Sequence, residues 1–239
     1  YVWNVAGDGQ WMRSERSGVA VGLPAADGVG VDEAFRQRWQ SGRLAAVVRE
    51  NTPVAEDTGH IGTLLPLASA SPAGRGHALT VFFPVRSDTG GAEIITATLP
   101  ADAAVKVPLA LTPSEVARVG NEMMGQPYGW GGLDQRRDCS ALTRDLFAPF
   151  GIFLPRNSTT QSKVGLGVSL AELSMPEKEA IIRSDGVPFR SLLSIRGHIG
   201  LYLGEQTCNA MLLHHMPVPR TNASPRCCDS RHTLATPPQ

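Results

Sequence analysis

Residues Arg136–Ser158 read RRDCSALTRDLFAPFGIFLPRNS, and the assignment of Cys139 within them decides the rest of the chain. Cys139, Leu142, Leu146 and Phe150 recur at the spacing of one buried helical face. On that ground Cys139 is a small apolar residue opening a core stripe. Its place in the chain supports a second reading. Cys139 falls where the helix begins, so its sulfur meets the positive end of the helix dipole and unpaired amide N–H groups. Both favour thiolate, and the expectation is a pKa below the free thiol value of about 8.5. A nucleophilic thiol also needs a base. His198 opens the alternating run His198-Ile199-Gly200-Leu201-Tyr202-Leu203-Gly204, on the face opposite Ile199, Leu201 and Leu203. Upstream, Gly129-Trp130-Gly131-Gly132 permits a tight turn that brings backbone close to a substrate. The helical spacing argues for core, the flanking residues for chemistry.

Helix signals bracket this stretch. Thr112-Pro113-Ser114-Glu115 is a helix start, with a Thr cap, Pro at the first helical position and Glu placed for a capping box. Val116, Val119 and Met123 then share a face until Gly125. Ser174-Met175-Pro176-Glu177 is a second start, for a helix ending near Gly186. The first 108 residues differ in kind. Short apolar runs broken by Gly, Pro and Asp occur at Tyr1–Val5, Val19–Val21, Ala45–Val48, Leu79–Phe83 and Glu93–Ala97. Such spacing predicts small β-barrels or sandwiches, here two modules over 1–52 and 53–108 with a break at Asn51-Thr52-Pro53. Between Val31 and Ser41 the spacing of Ala34, Phe35, Arg38 and Trp39 predicts one short helix.

Composition narrows the function classes. The 239 residues are 42% hydrophobic and 18% charged, which is a globular and not a disordered balance. The 22 basic residues equal the 22 acidic ones, so the basic excess of a nucleic-acid-binding surface is missing. No apolar run approaches the roughly 20 residues of a transmembrane helix. The chain opens with Tyr1 and shows no signal peptide, so a leader or upstream domain is expected to precede it. Four cysteines, with Cys139 far from Cys208, Cys227 and Cys228, do not make a disulfide framework. Those three with His214, His215 and His232 lack any CxxC or paired spacing, so no metal and no cofactor is expected.

Four blocks together resemble the NlpC/P60 cysteine peptidases. They are Gly125-Gln126-Pro127-Tyr128-Gly129-Trp130-Gly131-Gly132; Asp138-Cys139-Ser140; Gly151-Ile152-Phe153-Leu154-Pro155-Arg156-Asn157-Ser158 with Gln161; and the His198 strand. The β-rich first part is similar to the paired bacterial SH3-like barrels found before this domain in the dipeptidyl-peptidase VI type. The resemblance implies an α+β architecture: a papain-like NlpC/P60 catalytic domain over 112–239, preceded by two small all-β SH3-like barrels. It implies that Cys139 is the nucleophile, His198 its base and Tyr128 an oxyanion or substrate contact. Asp138, Ser140 and Ser158 correspond to positions that bind the free amino terminus of a peptide in the SH3-bearing subgroup. Asp138 also suits a helix N-cap, and Arg156 is either part of this pocket or a surface ion pair. The implied substrate is the cell-wall stem peptide L-Ala-γ-D-Glu-diamino acid, cut between γ-D-Glu and the diamino acid. Acting on intact wall places the protein in the envelope or periplasm; recycling murein fragments places it in the cytoplasm.

The family's third catalytic residue, usually a His, follows the His198 strand by a short turn. Met211-Leu212-Leu213-His214-His215 arrives at that distance, with His214 favoured and His215 the alternative. Beyond it the subgroup's Trp-Gly pair and closing strands are replaced by a tail rich in Pro, Arg, Cys, His, Ser and Thr, without helical or strand periodicity. This abrupt change predicts a shifted reading frame between Thr207 and Pro217, which translation of the other two frames past that point tests. A chain so altered carries a second expectation, a catalytically dead peptidoglycan-binding protein.

Overall fold

The computed structural model describes residues 2–5, 11–14, 28–31, 33–70, 76–86, 92–206, 209–216 and 233–236. Val2–Val5 (β1), Trp11–Ser14 (β2) and Gly28–Val31 (β3) form a three-stranded antiparallel sheet. The expected run Val19–Val21 lies outside the described residues. Glu33–Gln40 (α1) is the helix expected between Val31 and Ser41, and it buries Phe35. Seven short strands follow: Leu44–Val47 (β4), Thr52–Val54 (β5), Asp57–Gly59 (β6), Leu64–Pro66 (β7), Leu79–Arg86 (β8), Ala92–Leu99 (β9) and Ala104–Lys106 (β10). β4 lies between β10 and β7, while β5–β6 and β8–β9 are antiparallel pairs. Among the described residues these sheets stay open and none closes into a barrel. The pairing of β4 with β10 also runs across the stretch read as a break, since Asn51 takes φ 54 in a turn and Thr52-Pro53 begins β5.

The capping signals at both helix starts work as local chemistry dictates. Pro113–Glu122 (α2) begins at Thr112, whose hydroxyl accepts the Glu115 N–H at 3.3 Å. Val116, Val119 and Met123 are buried, as their spacing predicts. Cys139–Phe147 (α3) begins at Asp138 and runs into a 3₁₀ turn, Ala148–Phe150, that Gly151 ends at φ 76. Then come Ser158–Gln161 (α4), Leu166–Ser169 (β11) and Met175–Asp185 (α5), the last with Glu177 Oε2 accepting the Ser174 N–H at 2.8 Å. Leu192–Ile195 (β12), His198–Gln206 (β13), Asn209–Leu213 (β14) and Thr233–Thr236 (β15) complete an antiparallel sheet of order β11-β15-β12-β13-β14. β15 comes from the tail that showed no strand periodicity. A strand paired on both sides is held by its backbone, which leaves no trace in side-chain alternation.

Apolar burial ties the two halves together. Side chains of β4 alternate, with Leu44 and Ala46 in one core cluster and Ala45 and Val47 in another. The second cluster stays within β4–β10, through Val54, Leu65, Val81, Phe83 and Leu99. The first crosses over: Leu44, Ala46, Ile61, Val105 and Val107 pack with Val119, Leu142, Leu146, Phe147, Ile199 and Leu201. Each such Leu or Ile contributes about 1.5–3 kcal/mol by leaving water, so the crossing cluster is a structural element and not a contact of convenience. β13 is covered on both faces, since Ile199 and Leu201 enter this cluster while Tyr202 packs with Leu170, Ile182 and Leu193. No helix of the described residues is long and apolar enough to cross a membrane.

Candidate active site

The start of α3 and the start of β13 meet. The backbone N–H of Ile199, next to His198, acts to favour the Cys139 thiolate, as do the amides at the start of α3. These donors and the helix N-terminus favour thiolate, as expected. Burial works harder in the other direction: Cys139 is only 4% exposed, and desolvation, aided by the Asp138 carboxylate, pushes its thiol up. The expected low thiol pKa is therefore corrected, because a sulfur cut off from water loses more hydration than the helix terminus returns. His198 moves with it. Burial, and then the charge of His214, lowers its imidazole to about 4. In the free protein Cys139 is a neutral thiol and His198 a neutral imidazole.

β13 and β14 bring three histidines to one end of the sheet. His198 Nε2 and His214 Nδ1 are 3.2 Å apart, with the rings edge to face at 5.3 Å between centroids. The approach depends on Gly200, because a Cβ there would lie 2.9 Å from the His214 Cβ. His215 points elsewhere. Its Nε2 donates to the Gln126 carbonyl at 2.8 Å, and its ring stands edge-on to Tyr128 at 5.4 Å. Of the two candidates for a third residue, His214 is the one in contact with His198. Burial raises the Tyr128 phenol, with Cys139 and Asp138 adding to the shift, so its O–H stays a donor.

Asp138 is the most heavily engaged side chain of the site. Its Oδ1 accepts the Ala141 N–H at 2.8 Å, which caps α3, and the Ser140 hydroxyl at 2.9 Å. Arg156 grips both oxygens, at 3.1 Å and 2.9 Å, and also donates to Ser140 Oγ at 3.1 Å. Burial acts to raise the carboxyl, but the Arg156 bonds and charge, the Ala141 N–H and the Ser140 hydroxyl outweigh it and hold Asp138 below the usual carboxylate range. Arg156 is thus paired with Asp138 and Ser140 at the start of α3. Ser158, the first residue of α4, is not drawn in: among the described residues its hydroxyl makes no hydrogen bond.

Two residues given no role from the sequence hold the site in place. Gln161 is fully buried; its amide donates to the carbonyls of Ser140 and Pro155 at 2.8 and 2.7 Å and accepts the Thr143 hydroxyl at 2.6 Å. It stood within a quoted block, and a buried amide shared by two helices was the signal available. Arg137 is 7% exposed although it directly precedes Asp138, the cap of α3. A buried Arg beside a helix cap has no sequence signature, because its partners lie far along the chain. Among the described residues no group of three or more His, Cys, Asp or Glu could hold a metal ion. Cys208, Cys227, Cys228 and His232 lie outside them.

Residues 125–224 match the NlpC/P60 family, and residues 32–72 match the SH3 domain of SH3b2 type. Over 96 residues the chain is 32% identical to a peptidoglycan DL-endopeptidase, CwlO, of Bacillus licheniformis, which is 37% of this chain and 20% of that protein. Over 94 residues it is 29% identical to a gamma-D-glutamyl-L-lysine dipeptidyl-peptidase of Bacillus subtilis, 39% of this chain and 30% of that one. The chain thus spans between a fifth and a third of the length of these curated relatives. An NlpC/P60 endopeptidase from Photobacterium damselae subsp. piscicida superposes with a TM-score of 0.61 at 27% identity, covering 79% of this chain and 44% of that one. An NlpC/P60 family protein from Bacillus cereus superposes with a TM-score of 0.56 over 98% of this chain and 78% of that one; at 14% identity this is a likeness of fold.

Proposed function

From a chain that carries an NlpC/P60 domain beside an SH3b2-type SH3 domain, we propose a cysteine peptidase of peptidoglycan stem peptides. The bond cut lies between γ-D-Glu and the diamino acid of a peptide with a free amino-terminal L-Ala. One observation carries the reading: a buried Cys139 at a helix start, packed against the strand that begins with His198.

Catalysis starts from the neutral pair. His198 takes the Cys139 proton as the sulfur attacks the scissile carbonyl, so the charge separation costly in the free site forms only in the transition state. With His198 Nε2 turned to His214, its Nδ1 is the nitrogen that serves the thiol, and His214 holds the ring. The Tyr128 hydroxyl and the α3 amides donate to the developing oxyanion. His198 then protonates the leaving amine of the diamino acid. Water hydrolyses the thioester by the reverse proton path. Asp138, Ser140 and Arg156 form the amino-terminal end of the cleft. There the substrate ammonium meets a carboxylate already neutralised by Arg156, so binding replaces one cation by another on the same oxygens. Action on intact wall, as in the peptidoglycan hydrolases it resembles, places the protein in the cell envelope.

Incubation with L-Ala-γ-D-Glu-diaminopimelate is expected to release free diaminopimelate, and Cys139→Ala to abolish the release. Equal release by the variant would remove Cys139 from the mechanism. Retention on purified peptidoglycan without turnover favours the wall-binding alternative.

A further inference from the structure

We propose that Arg137 is a positioning residue through which the SH3b2-type domain fixes both sides of the active site, the nucleophile turn and the histidine end. Its guanidinium uses all three nitrogens. Nε donates to Asp145 of α3 at 2.9 Å, and Nη1 donates to Gln126 Oε1 at 2.6 Å. Nη1 also pairs with the Glu50 carboxylate at 2.6 Å, and Nη2 donates to the Ile61 carbonyl at 3.0 Å. Glu50 and Ile61 come from the β4–β7 region; Gln126 and Asp145 come from the half that carries Cys139. The guanidinium fork is rigid and planar, so its three hydrogen-bond partners fix its plane, and with it the backbone at Arg137, while Glu50 supplies the balancing charge. That backbone leads directly into Asp138 and Cys139.

The same residue reaches the other side of the cleft. The Arg137 carbonyl accepts the Gly129 N–H at 2.9 Å, holding the turn that follows Tyr128. Gln126, fixed by the guanidinium, presents its own carbonyl to His215, on which Tyr128 stands edge-on. On the SH3 side Glu50 is clamped in turn. Burial acts to raise its carboxyl, but the His60 bond at 2.9 Å, the Arg137 charge and Gln126 outweigh that and keep it ionised. Close contact completes the junction: Gly62, at φ +87, lies so near α3 that a Cβ would stand 2.8 Å from the Asp145 Cα. A pure domain clip needs none of the reach to Gly129 and Gln126.

The kinetic arm of the test rests on the peptidase reading; a chemical arm does not. In the full chain, Glu50→Gln keeps shape while removing the charge, Arg137→Met removes the fork and Arg137→Lys restores charge without it. Iodoacetamide labelling of Cys139, read by site-resolved mass spectrometry without substrate, is expected to change at least about threefold in rate in Glu50→Gln and Arg137→Met. On the tripeptide, kcat is expected to fall about tenfold in Glu50→Gln and about a hundredfold in Arg137→Met, with KM within about twofold and partial rescue by Arg137→Lys. Glu50→Gln/Arg137→Met should be no worse than Arg137→Met alone, because Glu50 acts through the guanidinium. Variants that melt earlier yet label Cys139 and turn over at wild-type rates overturn the proposal and leave Arg137 a clip between domains. Should Arg137→Met not fold, Glu50→Gln decides alone. If the wild type leaves the tripeptide intact, the peptidase reading fails and the labelling rates still decide this one.

Discussion

Cys139 and His198 are both displaced towards their neutral forms, and burial is the first cause for each. The helix start at Cys139 and the strand start at His198 were readable from the sequence because each is a matter of local position. The thiol's pKa direction was not, since it depends on how much water two distant segments exclude from one sulfur. A pH profile follows. His198 can accept the thiol proton while it is neutral, which holds down to about pH 4. Assayed on the tripeptide, kcat/KM is therefore expected to keep its acid limb near pH 4, not near the usual imidazole value of about 6.5. Stability moves with the same proton. Between about 6.5 and 4 the unfolded chain binds a proton at His198 that the folded chain refuses, so stability is full above that window and falls as pH drops through it. His214, also lowered, acts in the same direction. Half-loss of kcat/KM near 6.5 would show that the folded site is wetter than its geometry.

At the level of elements, α4 is four residues long and too short to be stable by its own hydrogen bonds. Gln161 anchors it to α3 through two buried bonds, to the Ser140 carbonyl and the Thr143 hydroxyl, and to the Pro155 carbonyl through a third. Gln161→Ala removes these and opens a void beside Ser140. It is expected to cost about 2–4 kcal/mol in urea unfolding and to loosen the Asp138–Arg156 pocket as well. A change below about 0.5 kcal/mol would mean that α4 is held by something else. Elements whose ends carry their own chemistry were legible beforehand: Thr112-Pro113 and Ser174-Met175-Pro176-Glu177 mark their helices with side chains a few residues apart. β15 was not, because its partners β11 and β12 supply the ladder and its own residues need no alternation. Thr52-Pro53 opens a strand, and its proline sits on a two-stranded antiparallel pair.

Across the whole molecule, the change of pattern at Leu111 was visible in composition, whereas the joint between the two halves was not. Leu44, Ile61 and Val107 look like ordinary strand and turn residues, and only the fold shows that they close a core begun by α2 and α3. Residues 112–239 expressed alone would expose Val119, Leu142 and Leu146 on that side and leave Arg137 without Glu50. This fragment is expected to be aggregated or to lack a cooperative melt by circular dichroism, while the full chain unfolds in one transition. A monomeric fragment with a sharp melt would show that the peptidase half closes its own core. The contact between Gly62 and Asp145 has a last consequence, for how such a chain is inherited. Domains that recombine freely meet through surfaces that tolerate exchange. Here the seam admits no side chain at one position and demands a carboxylate at another, so a graft of a foreign SH3 module succeeds only when the donor brings an equivalent of Gly62 and Glu50 with it.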